Sequence, residues 1–246
     1  MMLTSKEQIR YSRQVMLKGI GEQGQLALGN ATVLVVGVGG LGCPVSLYLA
    51  AAGIGKLIIC DGDQVEITNL QRQVLFTEQS VGINKAEAAA EHLAKLNPLI
   101  EIEAVDEMLD DELANYFVSQ ADIVVDCTDN IATRYLLNQH CLNHQTPLII
   151  GAATGFDGQV FFTRNRPESA CYQCVFPKTD NAPVDNCQTL GILGPVLSII
   201  GGMQALMTIK HLAGLTNPEN QLMMFDGSSQ RWQHFNVSKR ENCAAC

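Results

Sequence analysis

Positive charge is scarce in this 246-residue chain: 16 lysines and arginines face 25 aspartates and glutamates, for a formal charge of −9. That balance gives no general electrostatic pull toward nucleic acid or an anionic membrane, so small molecules and proteins are the expected partners. The opening residues, MMLTSKEQ, lack the apolar core of an export signal, which predicts a cytoplasmic protein. An uninterrupted hydrophobic span is missing as well. The most apolar stretch, 190–207, contains four glycines, Pro195, Ser198 and Gln204 and has no flanking aromatic anchors. It reads as a buried helix that continues to a stop at Gly214, not as a membrane span. Neither an internal repeat nor an interdomain linker is evident, so a single domain is expected.

What is present is apolar material, 47% of the chain, enough for a substantial core and too much for a disordered one. Nine cysteines, an odd number, suit ligands, nucleophiles or buried small side chains better than disulfides in a reducing compartment. Four of them form two pairs of equal spacing, Cys171-Tyr-Gln-Cys174 and Cys243-Ala-Ala-Cys246. Repeated Cys-x-x-Cys spacing offers a tetrahedral thiolate cage for zinc. With four sulfur ligands such a site keeps no open position, so its role would be structural, tying the last residues to a loop after a strand. Cys43, Cys60, Cys127 and Cys141 fall in or beside expected strands and helices and read as packing residues.

Strand-like apolar runs recur at 32–36, 57–60, 100–105, 122–125 and 147–150, with helical composition at 41–52, 85–96 and 133–143. The alternation predicts an α/β fold, a Rossmann-like doubly wound and mostly parallel sheet. An antiparallel C-terminal extension follows, with strands at 159–163, 221–225 and 232–237 and the zinc clip. Residues 4–19 read as an amphipathic helix with Arg10 and Arg13 on its polar side, and 178–186 as a polar surface loop.

Between the first strand and its helix lies Gly37-Val-Gly39-Gly40-Leu-Gly42, the context in which a Gly-x-Gly-x-x-Gly turn binds nucleotide phosphate. Gly37 allows the tight turn, Gly39 the approach of phosphate and Gly42 close helix packing, and the helix N-terminus faces the anion. Asp61, ending the second strand, stands where an acid holds ribose hydroxyls. To this point NAD and ATP fit equally. The cluster Asn69-Leu-Gln71-Arg72 with Lys85 suits a triphosphate better than a dinucleotide, because Lys85 opens a helix behind Asn84, where a cation is disfavoured unless an anion lies between. Asp129, after the strand at 122–125, is a candidate Mg2+ ligand with Asn130 beside it, or else the cap of the helix that begins near Ile131.

The series Arg10-Tyr-Ser-Arg13-Gln14, the glycine turn, Asn69-Leu-Gln71-Arg72-Gln73, Lys85, Asp126-Cys-Thr-Asp129-Asn130 and the two Cys-x-x-Cys pairs resembles the ThiF/MoeB/HesA family of sulfur-carrier adenylyltransferases. These are relatives of ubiquitin-activating enzymes, and the likeness covers essentially the whole chain. It implies that ATP and Mg2+ are bound and that AMP is joined to the C-terminal glycine of a ubiquitin-like sulfur carrier, of ThiS or MoaD type. By the same likeness Gly37, Gly39, Gly40, Gly42, Asp61, Asn69, Gln71, Arg72, Lys85, Asp129 and Asn130 form the nucleotide site. The likeness also implies that Arg13 reaches the ATP of the other subunit of a homodimer. Cys187, in Asn186-Cys187-Gln188-Thr189, matches a cysteine linked to sulfur transfer or to covalent attachment of the carrier, with a cysteine desulfurase or sulfurtransferase as a further partner. The segments around 186–196 and 225–232 look closer to the thiamine-pathway members than to the molybdopterin ones. The implied organisation is an N-terminal helical arm (1–28), a nucleotide-binding part (29–155) and a carrier-binding and zinc part (156–246). The other readings weighed are an NAD-dependent oxidoreductase and a catalytically silent scaffold.

Overall fold

A computed structural model describes residues 2–178 and 191–246. Eight strands form one sheet in the order β3-β2-β1-β4-β5-β6-β7-β8. They are β1 Thr32–Val36, β2 Lys56–Cys60, β3 Glu101–Val105, β4 Ile123–Asp126, β5 Leu148–Thr154, β6 Asp157–Thr163, β7 Gln221–Asp226 and β8 Arg231–Asn236. Strands β1 to β5 pair in parallel, and β6 to β8 extend the same sheet antiparallel.

The central strands are continuous apolar runs because both of their faces are covered. Val33 and Val35 of β1 join Leu57, Ile59, Ile123, Val125 and Ile149 in one core. The alternate residues Leu34 and Val36 join Ile58, Cys60, Val124, Leu148 and Ile150 in the other. The first face is covered by α3 (Gly21–Asn30), α4 (Gly42–Ala52), α5 (Lys85–Leu96) and the long α9 (Gly194–Leu212). Over the second lie α6 (Asp111–Gln120), α7 (Ile131–His144) and the segment of Cys171 with the short α8 (Tyr172–Val175). No helix among the described residues is long and apolar enough to cross a membrane.

Three elements differ from the sequence reading. The single helix expected over 4–19 is two short ones, α1 (Ser5–Arg10) and α2 (Ser12–Val15), parted at Tyr11. Tyr11 is buried, and its hydroxyl accepts a 2.9 Å bond from Asn97 Nδ2, which also donates to the Ala50 carbonyl at 2.7 Å. Helix α6, capped by Asp110, was not foreseen. The long helix begins at Gly194 with Pro195 in its first turn, where a missing N–H costs nothing, and Gly214 follows its end at φ +77°.

At the carboxyl end of β1 the chain turns sharply into α4. Gly37 sits at φ +86°, and a Cβ on Gly42 would lie 1.9 Å from the Gly37 carbonyl oxygen. Turn and helix touch because Gly42 lacks a side chain, while the left-handed φ of Gly37 makes the turn itself. Gly42→Ala is therefore expected to lower stability by about 1–3 kcal/mol through overpacking. Gly29→Ala, in the exposed last turn of α3 with open space around it, is expected to raise stability by up to about 1 kcal/mol. Urea denaturation midpoints of the two variants check both signs.

Candidate active site

The chain leaves the carboxyl ends of the paired strands β1 and β4 toward opposite faces of the sheet, where the strand order reverses. A cavity of about 450 Å³ opens there, walled by the glycine turn, the 61–66 segment, Asn69, Arg72, Gln73, Lys85, the 107–109 loop and the 127–130 turn. The N-terminal ends of α4, α5 and α7 approach it, so N–H groups and three helix dipoles favour an anion inside.

Asp61 closes the turn from below. One carboxylate oxygen accepts the Val38 N–H at 2.7 Å and the other the Asp63 N–H at 3.0 Å. Burial pushes its pKa above the ordinary value, against the pull of Lys85 and of these two N–H groups. Lys85 is the first residue of α5, and Asn84 caps that helix by accepting from the N–H groups of Ala86 and Glu87. The ammonium of Lys85 meets Asp63 Oδ2 at 2.7 Å, so its anion is partly supplied by the protein itself. Arg72 donates to the Thr68 carbonyl at 3.1 Å, and Asn69 Oδ1 accepts the Glu66 N–H at 3.0 Å, which sets the short turn carrying both.

Gly37, Gly39, Gly40, Asp61, Asn69, Arg72, Lys85, Asp129 and Asn130 all line this one cavity. Gly42 stands behind the turn as a packing residue. Gln71 is exposed and does not line the cavity, whereas Gln73 does, 3% exposed and with its Oε1 unbonded among the described residues. The helix cap is Asn130, which accepts the Thr133 N–H at 2.9 Å, and this leaves the exposed Asp129 carboxylate directed to no cap. Arg13 is exposed on α2 and is not among the lining residues of its own chain. Cys187 lies outside the described residues.

Beneath the 127–130 turn lies a charged pair that sequence reasoning missed. Asp126 is fully buried, and its Oδ1 accepts the Thr128 N–H at 2.9 Å and the Thr128 hydroxyl at 2.7 Å. Its other oxygen faces Arg134 Nε at 4.0 Å, and Arg134 donates to the carbonyls of Thr128, at 2.7 Å, and Gly151. Burial raises the Asp126 pKa, and the Arg134 guanidinium is the main force holding it down.

The four spaced cysteines meet on the second face of the sheet, and none of them lines the cavity. Their sulfurs all lie within 4.8 Å of one another, with Cys171 to Cys174 at 3.9 Å, Cys171 to Cys243 at 3.7 Å and Cys174 to Cys246 at 3.5 Å. Burial raises the thiols of Cys171 and Cys246, the latter to about 11. At Cys243 burial is outweighed by the N–H groups of Ala245 and Cys246, which bring it down to about 7. The group could hold a metal ion.

Replacing Arg134 by methionine leaves the Asp126 carboxylate buried without its cation, at an expected cost of about 3–5 kcal/mol at neutral pH. A folded-state pKa above the unfolded value takes up protons on folding, so the variant loses stability as pH rises through and beyond the ordinary carboxylate range. Denaturation series from pH 4 to 8 should show the variant approaching the native protein at the acid end.

The ThiF family model matches residues 11–245. The chain is 41% identical over 244 residues to the sulfur carrier protein ThiS adenylyltransferase of Escherichia coli K12, covering 99% of this chain and 97% of that one. It is 45% identical to the adenylyltransferase and sulfurtransferase MOCS3 of Culex quinquefasciatus, over 99% of this chain but 56% of the relative, so it spans about half the length of the MOCS3 proteins. Among solved structures, E. coli MccB with ATP superposes with a TM-score of 0.83 at 27% identity, covering 96% of this chain and 74% of MccB. MccB with MccA-N7isoASN gives 0.85 at the same identity and the same coverage. A match from Tyr11 to the penultimate residue, full-length identity of this level and a nucleotide-sized cavity at the glycine turn lead to one conclusion: the chain belongs to the ThiF family.

Proposed function

We propose that this protein adenylylates the C-terminal glycine of a ubiquitin-like sulfur carrier of ThiS type, with ATP as donor and pyrophosphate as leaving group. The observation that carries the reading is the convergence of Arg72, Lys85, Asp61 and Asp129 on one cavity at the glycine turn. The relative that matches over nearly its whole length is a ThiS adenylyltransferase. A C-terminal carboxylate is already ionised at neutral pH, so its oxygen attacks the α-phosphorus without a general base, and the α–β bridging bond breaks. What the protein supplies is alignment and charge neutralisation. Asp61 holds the ribose, the N–H groups of the glycine turn and Asn69 face the phosphates, and Arg72 and Lys85 take up charge on the leaving pyrophosphate. Mg2+ would be held by Asp129, adding positive charge at the phosphates.

Arg13, which does not line the cavity of its own chain, is assigned to the nucleotide of a second copy, which makes the working unit a homodimer. The arm (1–28), the nucleotide-binding part (29–155) and the carrier-binding and zinc part (156–246) then act as one domain. Cys187 is assigned to the sulfur-transfer step that follows adenylylation, with a cysteine desulfurase or sulfurtransferase as donor. The four-cysteine group suits zinc: tetrahedral Zn–S bonds of about 2.3 Å place sulfurs about 3.8 Å apart, close to the separations here. Such an ion would fasten the last residues to α8 and take no part in the reaction. A MoaD-type carrier is the second reading, favoured by the MOCS3 likeness. The ThiS type is preferred because that relative matches over nearly its whole length.

Carrier-dependent exchange of labelled pyrophosphate into ATP tests the reading, with ThiS-type and MoaD-type carriers side by side. Exchange is expected with the ThiS type and should fall about a hundredfold or more in Asp129→Ala. No exchange with either carrier would sink it. Metal analysis is expected to find one zinc per chain. Cys246→Ser should lose that zinc and melt at a lower temperature while still binding ATP.

A further inference from the structure

Asp63 belonged to no expected site, yet it sits against the most buried cation of the cavity. The side chain of Lys85 is 8% exposed, and that of Asp63, 2.7 Å from its ammonium, is 52% exposed. Both line the cavity. The main chain holds Asp63 in place whatever side chain it carries. Its carbonyl accepts the Lys85 N–H at 2.9 Å and the Asn84 side-chain amide at 3.2 Å, and its N–H donates to Asp61 at 3.0 Å.

We propose that Asp63 is a positioning residue that competes with pyrophosphate for Lys85 and so weakens the hold on that product. The inference rests on the adenylylation reading above. An ammonium has three N–H donors, and the bond to Asp63 uses one, leaving two for phosphate oxygens. A buried cation at a helix N-terminus is doubly costly without an anion, since burial strips its water and the helix dipole opposes it. Without Asp63, loss of pyrophosphate would leave Lys85 only the more distant Asp61 carboxylate, which attracts it without direct contact, and the product would be held more tightly. Asp63 removes that cost. Being half exposed, it is solvated well enough to yield Lys85 to a multiply charged phosphate and to take it back when the phosphate leaves. AMP, which keeps only the α-phosphate and is positioned by Asp61, does not depend on this exchange.

Isothermal titration with magnesium pyrophosphate and, separately, with AMP tests the inference without a carrier protein. In Asp63→Asn the affinity for magnesium pyrophosphate is expected to rise about fivefold, with the affinity for AMP within about twofold of the native value. Asp63→Glu, which restores a carboxylate in reach of Lys85, should return pyrophosphate binding toward native. Equal tightening of both ligands in Asp63→Asn would reduce Asp63 to one more negative charge in the cavity and overturn the proposal. Weaker pyrophosphate binding would overturn it too, since Asp63 would then be orienting Lys85 for the phosphate. If the native protein bound neither ligand, the adenylylation reading itself would fall, and this inference with it.

Discussion

Among the described residues the most deeply buried charge stands at the carboxyl end of β4, and the walls of the cavity hang from that point. Asp126 lies between β1 and β5 with no exposed surface. Its carboxylate holds Thr128, and Arg134, reaching back from the first turn of α7, holds both the Thr128 and the Gly151 carbonyls. From the other face of the sheet, Gln204 of α9 donates to the Asp126 carbonyl at 2.8 Å. One residue thus joins two strands and a helix on each side of the sheet, and the 127–130 turn that presents Asp129 is the product of those bonds. Partners so fully buried hold their geometry because releasing either leaves an uncompensated charge.

The second constraint is electrostatic. The protein is acidic overall, and its cavity has more carboxylates than cations among its lining residues, Asp61, Asp63, Glu66, Glu107 and Asp129 against Arg72, Lys85 and Arg134. A polyanionic ligand is therefore balanced less by side-chain charge than by helix N-termini and the N–H groups of the glycine turn, which carry no counter-ion of their own. Such a site does not attract phosphate indiscriminately. Keeping Lys85 paired with Asp63 fits the same economy, since a cation that is never bare does not bind its product too tightly.

Much of this was legible in the chain. Apolar runs of strand length separated by helical segments give a parallel sheet, because only a strand covered on both faces is hydrophobic at every position, as 33–36 and 57–60 are. Gly42 was readable as a packing glycine from its place in the motif and Asn84 as a helix cap, whereas at α7 the cap is Asn130 and not Asp129. Helix α6 escaped because its buried residues, Ala114, Phe117 and Val118, are few and set among polar ones. Tyr11 looked like one more position on an amphipathic helix, and nothing local announces that its ring is buried against Gly53. Gln73 and Gln71 flank the same arginine with equal claims, and only the sense of a short turn decides which of them enters the cavity.

By itself, then, the sequence determined what local spacing can encode: strand and helix periods, a phosphate turn, two thiol pairs and the family to which those motifs belong. Tertiary structure decided which distant groups meet. Cys171 finds Cys243 across 72 residues, Lys85 finds Asp63 across 22, and Arg134 comes to lie beneath the turn that begins at Cys127. Those meetings follow from which sheet face each element covers and how closely the helices approach. Burial depends on the whole chain, and the charges of Asp126 and Lys85 acquire their meaning only once water has been excluded from around them.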